Sequence, residues 1–319
     1  TDFLARIATH IGVTTFWKLG ELRLMSLGPI SYIQRTTDYY LGLGYNNPYQ
    51  WACFDDVPFT HPNKPLKDMS VAVVTTAAPY QPDKGDQGPG AVYNAAAKFH
   101  EVYRLPVVPE PDLRISHIAI DRTHTHAADK NTYLPLTFLK QAAEKNEIGA
   151  LAPFIYGFPT NRSQRTNREQ DCPELVSQLL ADEVDSLILV PNCPVCHQSL
   201  ALAARAAERA GLQTVIMGCA KDIVEHVGVP RYYFSDFPLG NSCGRPDDRP
   251  SQEQMLNDAL RMLTTAMAPR TTVTNPLKWQ GVKNWKDDYA NIEKLSAAEI
   301  AQKRADFDAA KTVLKKARV

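Results

Sequence analysis

Between Ser186 and Ser235 the chain alternates short apolar runs with segments of helical periodicity, and this alternation restricts the fold more than any other feature. Leu187-Ile-Leu-Val is an unbroken apolar run of the length expected for a strand covered on both faces. Leu200, Ala203, Ala204 and Ala207 then recur at helical spacing. The pattern predicts strands at 186–190, 214–218 and 231–235 and helices at 197–210 and 221–226, with Gly211 and Gly228 as stop signals. Strands alternating with helices in this way form a parallel, doubly wound sheet.

The preceding half follows the same plan. Strands are expected at 71–76, 113–118 and 149–158 and helices at 91–103 and 133–146, with polar loops at 78–90 and 121–131 and a charged linker at 161–170. The reading is an α/β chain of two Rossmann-like lobes, 65–160 and 171–268, whose parallel sheets face a cleft. An N-terminal arm (1–64) and a C-terminal helical extension (269–319) complete it. Asp171/Glu174, Ser251/Gln254 and Ser296/Glu299 have capping-box spacing and predict three helix starts. Tyr39–Phe54 reads as an irregular arm over a core, with a lid or a dimer contact as the alternative.

Charge narrows the function classes. Lys+Arg and Asp+Glu both total 35, and no basic run offers a surface for nucleic acid. Phe3–Ile33 is broken by Arg6, His10, Lys18, Glu21 and Arg23, so it has neither the layout of a membrane span nor that of a signal peptide. Six cysteines in 319 residues, two of them as Cys-x-x-Cys, suggest redox or metal chemistry in a reducing compartment, hence a cytoplasmic protein.

The chemistry concentrates where the 186–190 strand runs into Pro-Asn-Cys193-Pro-Val-Cys196-His197-Gln198. A helix N-terminus stabilises an anion, so it raises the thiolate fraction of a cysteine placed there. Cys193 and Cys196 read as nucleophile and resolving thiol. His197 is a candidate base or imidazolium partner, and Gln198 a candidate for orienting substrate. Cys219, after the next strand, and Cys243, in the Asn241-Ser-Cys-Gly loop after the third, reach the same sheet edge. They also leave open a zinc or iron–sulfur site with Cys193 and Cys196. His117, Asp121, His124 and His126 form a second polar cluster, either substrate-binding or metal-ligating, with His117 and Asp121 expected to face the cleft. Arg122 and Arg245 are candidate clamps for an anionic substrate group, and Asn241 and Cys243 for the substrate side of the third loop. Cys53 and Cys172 carry no motif. No Gly-x-Gly-x-x-Gly or Walker A loop appears, so no bound nucleotide or flavin cofactor is expected.

Five motifs carry a resemblance: Arg114-Ile-Ser-His-Ile-Ala-Ile-Asp-Arg-Thr, Asp129-Lys-Asn-Thr-Tyr-Leu-Pro-Leu, Glu147-Ile-Gly-Ala-Leu-Ala-Pro, Val190-Pro-Asn-Cys-Pro-Val-Cys-His-Gln and Asp236-Phe-Pro-Leu-Gly-Asn-Ser-Cys-Gly-Arg-Pro. Over about 70–250 the chain resembles the glycine/sarcosine/betaine reductase selenoprotein B family, which also includes a D-proline reductase subunit. The resemblance implies an oxidoreductase. In the family a selenocysteine followed by x-x-Cys attacks the substrate carbon bearing the amine, expels the amine, and holds a selenoether until a partner selenoprotein takes it. The selenocysteine position matches Cys193 and the downstream cysteine matches Cys196. Here the atom is sulfur, and a neighbouring thiol does not open a carbon–sulfur thioether as it opens a disulfide. Attack on an electrophilic heteroatom avoids the difficulty, because Cys196 can then release the product and leave a disulfide for an external dithiol such as thioredoxin to reset. The resulting expectation is a homo-oligomeric reductase cleaving a carbon–heteroatom or heteroatom bond of a small polar substrate. A metal-binding protein or a non-catalytic subunit of a larger reductase complex is the alternative.

Overall fold

A computed structural model describes residues 28–282 and 284–316, so most of the Phe3–Ile33 stretch lies outside the described residues. Nine strands are present among them: β1 (Ser70–Thr75), β2 (Ala78–Pro79), β3 (Tyr103–Pro106), β4 (Leu113–Arg114), β5 (Ala150–Gly157), β6 (Ser186–Val190), β7 (Gln213–Gly218), β8 (Arg231–Phe234) and β9 (Thr271–Thr274). The main helices are α1 (Tyr32–Gly42), α2 (Leu136–Glu144), α3 (Cys172–Ala181), α4 (Pro194–Arg209), α5 (Lys221–Val227), α6 (Arg249–Thr265) and α7 (Ala297–Lys316).

The two expected lobes form one sheet. Seven strands run in the order β3-β5-β1-β6-β7-β8-β9, with β1 paired in parallel to both β5 and β6 and only β3 antiparallel. Both halves of the sequence carry strands with apolar residues on both sides, and pairing Val71–Thr75 with Ser186–Val190 joins the halves edge to edge. Two sheets facing a cleft would leave that edge of each unpaired. Side chains alternate between the faces, as the period of two requires. Val71, Val73, Ile188, Val190, Val215 and Met217 pack under α2 and α6, whereas Ala72, Val74, Leu187, Leu189 and Ile216 pack under α3, α4 and α5.

Other local expectations also change. Residues 91–103 do not form a helix, apart from the 3-10 turn Ala95–Ala97 capped by Asn94, and 113–118 shrinks to the two-residue strand β4 paired with β2. Of the three capping boxes, only Ser296/Glu299 forms reciprocally: Ser296 N–H donates to Glu299 at 2.8 Å and Glu299 N–H to Ser296 Oγ at 3.3 Å. Asp248 caps α6, and Asp171 instead accepts from Asn161 and Asn167.

The arm over 49–60 lies along α4. Ala52 N–H donates to Gln198 Oε1 (2.7 Å), and Arg205 donates to the Asp56 carbonyl (2.7 Å) while stacking over Phe54. Thr60 N–H donates to Glu208, whose carboxylate also pairs with the buried Arg231 at 2.8 Å. Among the described residues no helix is long and apolar enough to cross a membrane.

Candidate active site

Counted among the parallel strands alone, the sheet order is 2-1-3-4-5-6. The chain reverses direction across the sheet between β1 and β6, and ligands of open α/β sheets bind outside the carboxyl ends of strands at such a point. Thr76 and Ala77 follow β1 there, and Pro191, Asn192 and Cys193 follow β6.

Cys193 caps α4 with extended backbone (φ −134°, ψ 168°), and its sulfur accepts the Cys196 N–H at 3.2 Å. Pro194 at the first helical position gives up no hydrogen bond, because that N–H has no partner inside the helix anyway. The two cysteines form a disulfide with a Cα–Cα separation of 4.9 Å, and Cys193 is only 5% exposed.

His197 is held by backbone on both sides. Its Nδ1 donates to the Cys193 carbonyl at 2.7 Å, and its Nε2 accepts from the N–H groups of Cys219 (2.9 Å) and Ala220 (3.1 Å). Burial lowers its pKa to about 4, so the ring is neutral. With both nitrogens engaged, it does not sit as a proton acceptor for Cys193. It clamps the end of β6 to the β7–α5 turn. Gly218 permits this, since a Cβ there would lie 2.8 Å from His197 Nε2. Gln198 likewise has a structural place, accepting from Ala52 and donating to the Tyr49 hydroxyl.

The glycine/sarcosine/betaine reductase selenoprotein B profile matches residues 40–192, ending at the residue before Cys193. D-proline reductase subunit gamma of Acetoanaerobium sticklandii is 29% identical over 234 residues, covering 70% of this chain and 92% of that protein. Both matches make the chain similar to the glycine/betaine and D-proline reductases. No solved structure matches it.

The remaining candidates divide into those set around the switch point and those bound into scaffold. His117 is buried beside β1. Its Nε2 donates to the Thr76 carbonyl at 3.1 Å, Phe99 packs edge-on against the ring, and burial lowers its pKa to about 3. Among the described residues its Nδ1 has no partner, and neither do the buried Thr76 Oγ1, Ser116 Oγ and Asn192 Oδ1. The sequence reading assigns no role to Thr76, Ser116 or Asn192, although the last two lie within the quoted motifs. The available signal was their position just past, or in the loop beside, the ends of β1 and β6.

Asp121 is taken up by His124, with Nδ1 at 2.9 Å from Asp121 Oδ2, and His124 Nε2 lies 3.3 Å from Asp288. Burial raises the Asp121 pKa, and its hydrogen bond from His124 opposes this. His126 is exposed. Arg122 donates to three carbonyls, Ala91 (3.0 Å), Ile118 (2.8 Å) and Ser116 (2.6 Å). Arg245 pairs with Asp248 at the start of α6 and donates to the Lys278 carbonyl. Asn241 donates to the Pro238 carbonyl and accepts from Thr125.

Cys219 and Cys243 are buried free thiols in the same apolar cluster as the disulfide. Burial pushes the Cys219 pKa up to about 12 and raises that of Cys243 well above the ordinary thiol value. Cys219 Sγ lies 3.9 Å from Ser242 Oγ, which itself donates to the Pro191 carbonyl. Among the described residues no group of three or more His, Cys, Asp or Glu side chains converges as a metal site.

Proposed function

We propose that the chain is a dithiol reductase of a small polar substrate, with Cys193 as nucleophile and Cys196 as resolving thiol. The observation that carries this reading is the Cys193–Cys196 disulfide at the N-terminus of α4, at the sheet's switch point. In the reduced protein the helix dipole and the Cys196 N–H favour a Cys193 thiolate. That thiolate attacks an electrophilic heteroatom X of a substrate R–X–Y. A Cys193 S–X bond forms, the X–Y bond breaks, and Y leaves with the electron pair and takes a proton. Cys196 then attacks the Cys193 sulfur, releasing R–X with its electron pair and leaving the disulfide. Two electrons and two protons from an external dithiol, such as a thioredoxin-type protein, restore both thiols.

His197 contributes by position, fixing the Cys193 carbonyl and therefore the direction of the cap. The D-proline reductase relative is named as a subunit, which supports a second reading in which this chain works within a reductase complex. The deep burial of Cys193 is compatible with that, because a partner could open the site.

The test is single-turnover mass spectrometry of the reduced protein against a panel of N–O, S–O, S–S and C–N substrates. Wild type should end as the Cys193–Cys196 disulfide, Cys196→Ser should accumulate a mixed adduct on Cys193, and Cys193→Ser should lose turnover at least about a thousandfold. Turnover retained in Cys193→Ser would sink the proposal. A competent reaction only after a second protein is added would favour the complex reading.

A further inference from the structure

A cavity away from the disulfide has an unusual electrostatic composition. It lies between the Gln87–Ala91 loop and the segment Arg114–Ala127, and neither Cys193 nor Cys196 lines it. About 360 Å³ of space is present, part of it open to solvent, with tight room inside for one or two oxygen atoms.

The lining contains Arg114, Arg122 and His126 and no carboxylate. Arg114 is neutralised by Asp112, outside the cavity. Arg122 is different. Its three hydrogen bonds all go to backbone carbonyls, and among the described residues no Asp or Glu pairs with it. A guanidinium has five N–H donors, so two are left for an outside acceptor. A substantially buried cation without a counter-ion is costly unless something supplies the charge. A second, independent feature points to the same space. Ser116 lines the cavity, the residue is 6% exposed, and among the described residues its Oγ has no partner.

We propose that this cavity binds a small carboxylate, whose oxygens take the two remaining Arg122 N–H groups and the Ser116 hydroxyl. A planar carboxylate matches the guanidinium fork, and the cavity's open side leaves room for the rest of the molecule. The proposal does not rest on the dithiol chemistry.

Acetate is the probe, titrated at constant ionic strength into the intact oxidised chain, with acetamide as the neutral isostere and affinity read by calorimetry and thermal shift. Acetate should give saturable stabilisation and acetamide none. Ser116→Ala loses one charge-assisted hydrogen bond, which corresponds to about a tenfold weaker acetate affinity. Because Ser116 Oγ has no partner to lose, this variant keeps its fold even if Arg122→Lys does not. A Cys193→Ser/Cys196→Ser chain should respond to acetate like wild type. Equal responses to acetate and acetamide, an unchanged affinity in Ser116→Ala, or loss of the response in the cysteine double variant would each overturn the assignment.

Discussion

Two buried histidines flank the switch point, and they are bonded in opposite ways. His197 satisfies both nitrogens and three backbone groups at once, joining β6, α4 and the β7–α5 turn. His117 uses one nitrogen on the Thr76 carbonyl and leaves the other bare, in company with the unpartnered Thr76, Ser116 and Asn192 oxygens. Buried polar groups in folded proteins are nearly all bonded, so a local excess of bare ones marks where water or ligand completes the structure. The region of β6–β7 is therefore scaffold that fixes the start of α4 at Cys193. The region after β1 is where the protein has polar capacity to spend on something else.

The sharpest way to break this contrast is to remove each ring. His197→Ala leaves the Cys219 and Ala220 N–H groups bare in the core, while the Cys193 carbonyl keeps the backbone N–H of residue 197. At about 1–3 kcal/mol for each bare group, a loss of roughly 2–6 kcal/mol is expected. Gly218→Ala should act in the same direction by pushing the ring off its two donors. His117→Phe strands only the Thr76 carbonyl and should cost clearly less. Urea denaturation of the variants measures all of them, and equal losses for the two histidines would abolish the distinction.

Acid should expose both rings. Each has a folded-state pKa depressed by burial, to about 4 for His197 and about 3 for His117, against about 6.5 in the unfolded chain. Between these values the unfolded chain binds a proton that the folded chain does not. The stability is complete above pH 6.5 and is lost as the pH falls toward 4, on the order of 3 kcal/mol per histidine. Urea midpoints at pH 7, 5.5 and 4.5 should fall steadily, and less steeply in His117→Phe. A flat profile would show that the rings are not held neutral.

The contrast also explains what could be read in the sequence. The second half was legible because Leu187–Val190 and the Leu200/Ala203/Ala204/Ala207 stripe carry periods of one kind each, and β6, α4, β7 and α5 appear within a few residues of their expected ends. The 91–103 segment misled because its alanines have helical composition, yet it forms only one 3-10 turn before the antiparallel edge strand β3. One sheet instead of two lobes was out of reach, since pairing of residues more than a hundred apart leaves no local trace. Among site residues, chemistry-bearing side chains were found by type, but type does not report bonding. Arg245, Asp121 and Gln198 are consumed by Asp248, His124 and the arm, whereas Thr76 lies outside the motifs and Asn192, inside one, is given no role by its residue type.

The smallest effect is the most discriminating. Thr76→Val keeps the shape of the side chain and removes a buried hydroxyl that has no partner. If the surroundings are dry, the loss of an unsatisfied polar group stabilises the protein, by about 1 kcal/mol. If an ordered water bridges Thr76 Oγ1 to the neighbouring bare atoms, the same change removes a bond and costs a similar amount. The expected sign is stabilisation, accompanied by weaker binding of whatever substrate the single-turnover screen identifies, because the hydroxyl is free to serve a ligand only if the resting protein does not use it. Destabilisation with unchanged substrate affinity would make the region after β1 a hydrated piece of scaffold, and the two sides of the switch point would then differ only in whether water or backbone completes them.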